Sequence, residues 1–160
     1  KDLKVPSDDL PGRIAALTDK LKQAEKEIAK LHQAQLQAKS AEFVAQAQDI
    51  NGFKVLTLDL PQGVAAGDLR TLATDLRNRM QNEDAIIVLA AASGDKLPFI
   101  AAATKSAVAR GVKSGDIVKL FGEYVDGRGG GKPDMAQGAG NNPGGVEQGF
   151  AAVRDFAEKL

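Results

Sequence analysis

Between Arg13 and Asn51 the chain contains neither glycine nor proline, and Ala, Leu, Lys, Gln and Glu dominate the stretch. These are good helix formers, so the run is predicted to be one long helix. Asp8 or Asp9 is placed to cap its start, Pro11 is tolerated in the first turn, and Asn51-Gly52 supplies a stop. At 1.5 Å per residue such a helix would be roughly 55 to 60 Å long, more than a small domain is wide. It is therefore expected to extend as an arm.

Apolar residues recur at heptad spacing at Leu10, Ile14, Leu17, Leu21, Ala24, Ile28 and Leu31, until the register meets Gln35. A second stripe follows at Leu36, Phe43, Ala47 and Ile50. The change of phase implies that the first half packs on another helix and the second half on the chain's own globular body; a helix bent at that point is the alternative. Leu17, Leu21, Ile28 and Leu31 are the expected helix-partner interface, because Leu and Ile spaced this way on a lone helix would form an unusual exposed patch. The spacing admits a partner within a parent chain, in a twin subunit as a homodimer, or in another molecule.

After Gly52 the pattern changes. Phe53 to Leu58 is β-rich, Ala66 to Met80 has helical spacing through Leu69, Leu72, Ala73 and Leu76, and Ala85 to Ala91 is unbroken apolar. This is a β-α-β unit whose crossover makes the strands parallel, with Ile86-Ile87-Val88-Leu89 as a central strand covered on both faces. Ser93-Gly94-Asp95-Lys96 reads as a tight turn into Leu97 to Ala103, returning antiparallel as an edge strand. Short helices follow around Ser106 to Val112 and Asp116 to Tyr124, and a last one from Val146 to Leu160. The fold class is thus α/β: a long N-terminal, coiled-coil-like helical arm over residues 1–50, then a small globular domain over residues 51–160 with a mixed β-sheet covered by helices.

Composition narrows the chemistry. With 160 residues and 21 Lys+Arg against 21 Asp+Glu, the chain is of one-domain size and does not hold nucleic acid by bulk charge alone. A local basic patch remains open. No cysteine and a single histidine, His32, exclude a Cys/His zinc site, a thiol nucleophile and disulfides, so no metal site, cofactor or catalytic residue is assigned. No apolar run reaches the roughly 20 residues of a bilayer span, and Lys1-Asp2-Leu3-Lys4 does not resemble a signal peptide. A cytoplasmic protein is the expectation, and the opening lysine suggests a fragment of a longer chain.

Chemistry concentrates between Tyr124 and Val146, where eight of the 17 glycines lie, interleaved with Arg128, Lys132, Asp134, Met135 and Gln137. Residues 127–145 read as a glycine-rich loop. A P-loop would need Gly at Asp126 and Ser or Thr at Pro133, and a dinucleotide fingerprint would need Gly at Lys132. Two readings survive. In one, a glycine nest with positive φ lets the backbone approach a phosphate or base while Arg128 and Lys132 supply charge. In the other, the glycines are there for steric packing.

The run Gly129-Gly130-Gly131-Lys132-Pro133-Asp134-Met135-Ala136-Gln137 resembles the signature of the DHH-associated domain at the C-terminus of alanyl-tRNA synthetase. Thr104-Lys105 and Lys113-Ser114-Gly115-Asp116 are similar to that family's segments, as is the Lys/Glu-rich heptad stretch to its connector. Lys132 departs from the family's usual Arg, and Gly138-Ala139-Gly140 from its Ala-Gly-Gly, which puts a bidentate phosphate grip at 132 in doubt. The resemblance implies a non-catalytic appended domain that holds the outer corner of alanine-specific tRNA and couples aminoacylation with editing. Catalytic and editing domains of the parent chain would lie upstream. The nucleic-acid-binding residues it points to are Arg128, Gly129, Gly130, Gly131, Lys132 and Gln137, joined by Lys105, Arg110 and Lys113, a stretch with no acidic residue between them. The competing readings are the C-terminal nucleic-acid-binding domain of a DHH-family phosphoesterase and a purely structural dimerisation module.

Three further residues carry weaker signals. His32 sits between Leu31 and Gln33 and is expected to face solvent. Among the aromatics, Phe53, Phe99, Phe121, Phe150 and Phe156 are expected in the core, while Tyr124 can either pack or stack on a base. Asp134 is expected to brace its loop by accepting backbone N–H bonds.

Overall fold

The computed structural model describes residues 10–62 and 64–160, leaving out the side chain of Leu10. The capping expected of Asp8 or Asp9, and the packing of Leu10, lie outside the described residues. Two compact units meet in sequence between Gln35 and Leu36.

Helix α1 spans Leu10–Ala38, 29 residues, and does not run on to Asn51. Before Leu36 its heptad stripe is open to solvent, from 54% exposure at Ile28 to 64% at Leu17. His32 is exposed, as the sequence predicts. Past Ala38 the chain turns at Lys39 and resumes as α2, Ser40–Ala45, with the buried Ser40 hydroxyl donating back to the Leu36 carbonyl at 3.2 Å. The second stripe does pack on the globular body: Leu36 is buried in its core and Phe43, Val44 and Ala47 pack against it.

The breaker-free run ends in sheet, not helix. Strand β1, Gln48–Ile50, pairs antiparallel with β2, Phe53–Leu60, with Ile50 opposite Phe53. Asn51 and Gly52 carry φ of 53° and 82°. Positive φ at both central residues is what a two-residue type I′ hairpin turn needs, so the Asn-Gly pair that suggested a helix stop closes a hairpin instead.

The β-α-β unit forms as its periodicity predicts. Helix α3, Ala66–Arg79, connects β2 to β3, Ala85–Ala91, and the two strands are parallel, Val55 opposite Ile86 and Leu58 opposite Leu89. Asp68 in the first turn of α3 and Arg77 and Arg79 in its last complement the helix dipole. Gly94, at φ 61°, turns the chain into β4, Leu97–Ala103, antiparallel to β3. Thr104 then starts α4, Lys105–Ala109. Its buried hydroxyl donates to the Glu83 carbonyl at 2.7 Å and accepts from the amides of Ala85 and Ala107. Helix α5 follows over Ser114–Tyr124.

The largest correction concerns the segment expected to be a loop. Arg128–Gly131 forms β5 and Met135–Gly140 forms β6, an antiparallel hairpin that joins β4 through β6. The sheet order is β1-β2-β3-β4-β6-β5, so β4 is interior and the glycine strand β5 is the edge. A turn at Pro143–Gly145 leads to α6, Val146–Glu158.

Two apolar layers flank this mixed sheet. On one face Phe53, Val55, Ile86, Val88 and Phe99 pack with α5 and α6, where the Phe121 ring lies 4.9 Å from Phe99 and 5.4 Å from Phe150. On the other face Leu56, Leu58, Ile87, Leu89 and Ile100 pack with Leu69, Leu72, Ala73 and Leu76 of α3. The five phenylalanines expected inside are buried or, at Phe156, partly so, while Tyr124 is 39% exposed.

Candidate nucleic-acid interface

Alternation along the hairpin divides its residues between the two faces of the sheet. Cross-strand partners share a face, so Gly129 opposite Gly138 belongs to one and Gly130 opposite Gln137 to the other. The Gly129–Gly138 face packs under α5. A Cβ on Gly129 would come within 2.6 Å of Val118 Cγ1, and one on Gly138 within 2.7 Å of the Phe99 ring. Gly127 and Gly131 are equally crowded. Most of the glycine run is therefore steric: without side chains the hairpin can lie flat against α5 and Phe99.

No glycine between 127 and 145 has positive φ among the described residues. The nest is thus not formed, and a requirement for left-handed backbone at Gly130 falls with it. Gly130 differs from its neighbours in another way. Nothing lies within 4 Å of where its Cβ would be.

The face that Gly130 shares with Gln137 looks toward α3. There a groove of about 390 Å³ is lined by Arg70, Thr74 and Arg77 of α3 and, from the hairpin, by residues including Gly130, Lys132, Met135 and Gln137. Lys132 occupies the corner of the hairpin turn, exchanging backbone hydrogen bonds with Met135 at 2.9 and 3.2 Å. The Arg77 guanidinium donates to the Asp134 carboxylate at 3.1 Å, and the Ala103 amide donates to the Asp134 carbonyl at 3.0 Å. Asp134 therefore braces the turn by its carbonyl and by a side-chain ion pair, not by gathering backbone N–H groups on its carboxylate.

Beyond this ion pair a smaller groove of about 240 Å³ is lined by Arg77, Asn78, Gln81, Thr104, Lys105 and Asp134. Lys105 thus stands beside the hairpin turn. Lys113 does too: the amide of the next residue, Ser114, donates to the Pro133 carbonyl at 2.9 Å. Among the described residues Arg70, Lys105, Lys113, Arg128 and Lys132 are exposed and form no ion pair.

Arg110 does not join them. Its guanidinium donates to the Asp84 carboxylate at 2.7 Å, lies 4.1 Å over the Phe53 ring and reaches the Gly52 carbonyl, bracing the β1–β2 turn at the opposite edge of the sheet. The hydrogen bond from Arg110, with the nearby Ser106 hydroxyl, holds the Asp84 carboxyl below its ordinary range. Sequence proximity to Lys105 and Lys113 suggested a common patch for Arg110; the fold directs it elsewhere.

The structure also adds Arg70, Thr74 and Arg77 to the surroundings of the hairpin, as the α3 side of the groove. The sequence did hold a signal for them. With Leu69, Leu72, Leu76 and Met80 buried, the basic residues at 70 and 77 sit seven positions apart and so share one flank of α3. Nothing in the sequence showed that this flank would face the glycine hairpin.

The family model described as the DHHA1 domain matches residues 52–159. The chain is 56% identical over 160 residues to the alanine–tRNA ligase of Corynebacterium efficiens and 54% identical over 152 residues to that of Corynebacterium jeikeium. The alignments cover 99% and 95% of this chain but only 18% and 17% of those proteins. The chain therefore spans less than a fifth of the curated relatives it matches. Among solved structures, the C-Ala domain from Aquifex aeolicus alanyl-tRNA synthetase superposes with a TM-score of 0.65 at 24% identity, over 71% of this chain and 98% of that one. That likeness shows the α/β fold, a helical segment followed by a mixed sheet.

Proposed function

The chain belongs to the DHHA1 domain family, and from that premise we propose that it is the C-terminal tRNA-binding domain of an alanyl-tRNA synthetase. In this reading it holds the outer corner of alanine-specific tRNA and couples aminoacylation with editing, while the catalytic and editing domains of a parent alanine–tRNA ligase carry out the reactions. The domain itself contributes positioning and no catalysis, and it works in the cytoplasm. Its partners are the tRNA, the rest of the parent chain and, through the exposed Leu17, Leu21, Ile28 and Leu31 stripe, a helix of that chain or of a second subunit.

The observation that carries the reading is the group of cations around the glycine hairpin that form no ion pair among the described residues. Lys132, Arg128, Lys105 and Lys113 border one end or edge of a sheet whose chain has no net charge. Such a local patch suits a folded RNA, which is read by shape, stacking and 2′-hydroxyl contacts as well as by phosphate charge. Arg110 is left out of the interface because it is committed to Asp84 and Phe53.

Titration of the 160-residue chain with intact alanine tRNA and with an acceptor-stem minihelix lacking the outer corner tests the proposal. Intact tRNA should bind much more tightly. Equal affinity for both, or no binding of either, removes the outer-corner reading.

A further inference from the structure

Asn51 is the one asparagine of the chain followed by glycine, and it stands in the exposed turn between β1 and β2. Its side-chain amide donates to the carbonyls of Glu158 and Leu160, both at 3.4 Å. These carbonyls lie at the C-terminal end of α6, where a helix leaves acceptors without an intrahelical donor. One neutral amide thus ties the β1–β2 turn to the end of α6.

The same amide is open to attack by its own backbone. Asn51 and Gly52 are both exposed, and the Gly52 N–H donates no hydrogen bond among the described residues. Gly52 has no Cβ to shield its nitrogen. The two bonds to α6 are longer than the roughly 2.9 to 3.0 Å of a well-formed N–H···O bond, so they hold the side chain weakly. Asp126-Gly127, the chain's one Asp-Gly pair, is the internal contrast. The Gly127 amide donates to the Gly122 carbonyl at 2.8 Å, and a Cβ on Gly127 would stand 2.8 Å from the Ala139 carbonyl oxygen. That nitrogen is both occupied and packed.

We propose that Asn51 is a site of spontaneous deamidation in the folded protein, and that its product releases the β1–β2 turn from α6. The Gly52 nitrogen loses its proton and bonds to the Asn51 side-chain carbonyl carbon, and the amide nitrogen leaves as ammonia. Water then opens the resulting succinimide. Opening at the backbone carbonyl gives isoaspartate and opening at the side-chain carbonyl gives aspartate, so the net change is amide plus water to carboxylic acid plus ammonia. Either carboxylate sets acceptors against the acceptors of Glu158 and Leu160 and adds negative charge at the negative end of the α6 dipole. The isoaspartyl form also inserts a methylene into the backbone of a two-residue turn whose geometry fixes the strand register.

The folded chain is incubated at physiological pH and temperature and mapped by peptide mass spectrometry with electron-transfer fragmentation, which separates isoaspartate from aspartate. Conversion at Asn51 ahead of every other asparagine and of Asp126, faster at higher pH and absent in an Asn51→Gly variant, supports the proposal. Conversion only in a urea-unfolded sample, or at Asp126 as fast as at Asn51, overturns it. The Asn51→Asp variant tests the consequence separately from the backbone insertion. Its Tm should fall by about 3 °C, the scale of a like charge at a helix C-terminus in a domain of this size, and amide exchange should quicken in β1 and the last turn of α6. An unchanged or raised Tm with parent-like exchange overturns the release.

Discussion

The Arg77 guanidinium, in the last turn of α3, meets the Asp134 carboxylate of the β5–β6 turn at 3.1 Å across 57 positions of sequence. Both side chains keep access to water, with 25% exposure for Arg77 and 49% for Asp134. The contact ties the glycine hairpin to the helix that forms the other wall of the groove. Its energetic value is small, because solvent screens a half-exposed pair. A double-mutant cycle with Arg77→Ala and Asp134→Ala should give a coupling of about 0.5 to 1 kcal/mol in urea unfolding. A coupling indistinguishable from zero would mean that the hairpin is held by its backbone hydrogen bonds and α5 packing alone.

Adjacent glycines in β5 should respond in opposite directions. Gly129→Ala drives a Cβ to 2.6 Å from Val118 Cγ1 and 2.5 Å from the Gln137 carbonyl, so it should cost about 3 kcal/mol, the upper end of core overpacking. Gly130→Ala meets nothing within 4 Å and no positive φ, so it should be neutral or stabilise by about 0.5 kcal/mol. Urea midpoints of the two variants decide the matter, and similar losses in both would contradict the division of the hairpin into a packed and an open face.

Lys132 is exposed and unpaired among the described residues, whereas Arg110 is committed to Asp84. On the tRNA reading, Lys132→Ala should lower the slope of log affinity against log salt by about one, the signature of one lost phosphate contact. Arg110→Ala should leave that slope unchanged and lower stability instead. The reverse pattern would move the interface to the β1–β2 edge.

Acid titration gives a separate view of the Arg110–Asp84 pair. The folded-state pKa of Asp84 is depressed chiefly by the hydrogen bond from Arg110, then by Ser106, so protons bind the unfolded chain more readily. The stabilisation is therefore complete above the ordinary carboxylate range and is lost as pH falls through the depressed folded value. Carbon-detected NMR of the Asp84 carboxyl should show a midpoint below that of an unpaired aspartate, returning toward the usual value in Arg110→Ala. An unchanged midpoint in the variant would assign the depression to another neighbour.

The α1 stripe makes a prediction about association. Leu17, Leu21, Ile28 and Leu31 are all more than half exposed, and burying each would contribute about 1.5 to 3 kcal/mol. If the partner is a second copy, sedimentation should show a concentration-dependent dimer that the Leu21→Glu, Ile28→Glu variant abolishes. A strictly monomeric chain would exclude the homodimer and leave a partner within a longer chain, in another molecule, or none.

Much of the fold was legible because its signals are local. The Leu69–Leu72–Leu76 spacing specifies α3, the apolar run Ala85–Ala91 specifies a buried strand, and the phase change at Gln35 marks where a solvent-open stripe gives way to one that packs on the sheet. Two segments could not be read this way. Gln48–Ile50 has no breaker before it and is a strand only because Phe53–Val55 lies opposite it, a pairing that local propensity does not encode. Arg128–Gly131 has almost no side chains to announce a strand. It becomes one because β6 supplies its hydrogen bonds, while at Gly129 and Gly131 the β6 backbone, joined at Gly129 by Val118 of α5, leaves no room for a Cβ. The sequence by itself therefore determined which residue types gather near the glycines. Tertiary structure decided which of them share a surface: it turned Arg110 toward Asp84, brought Arg70 and Arg77 to face Gln137, and reserved Gly130 alone in β5 as open ground. The physical reason is that periodicity assigns a side chain to a face of its own element, whereas the neighbour of that face is set by how sheet and helices pack.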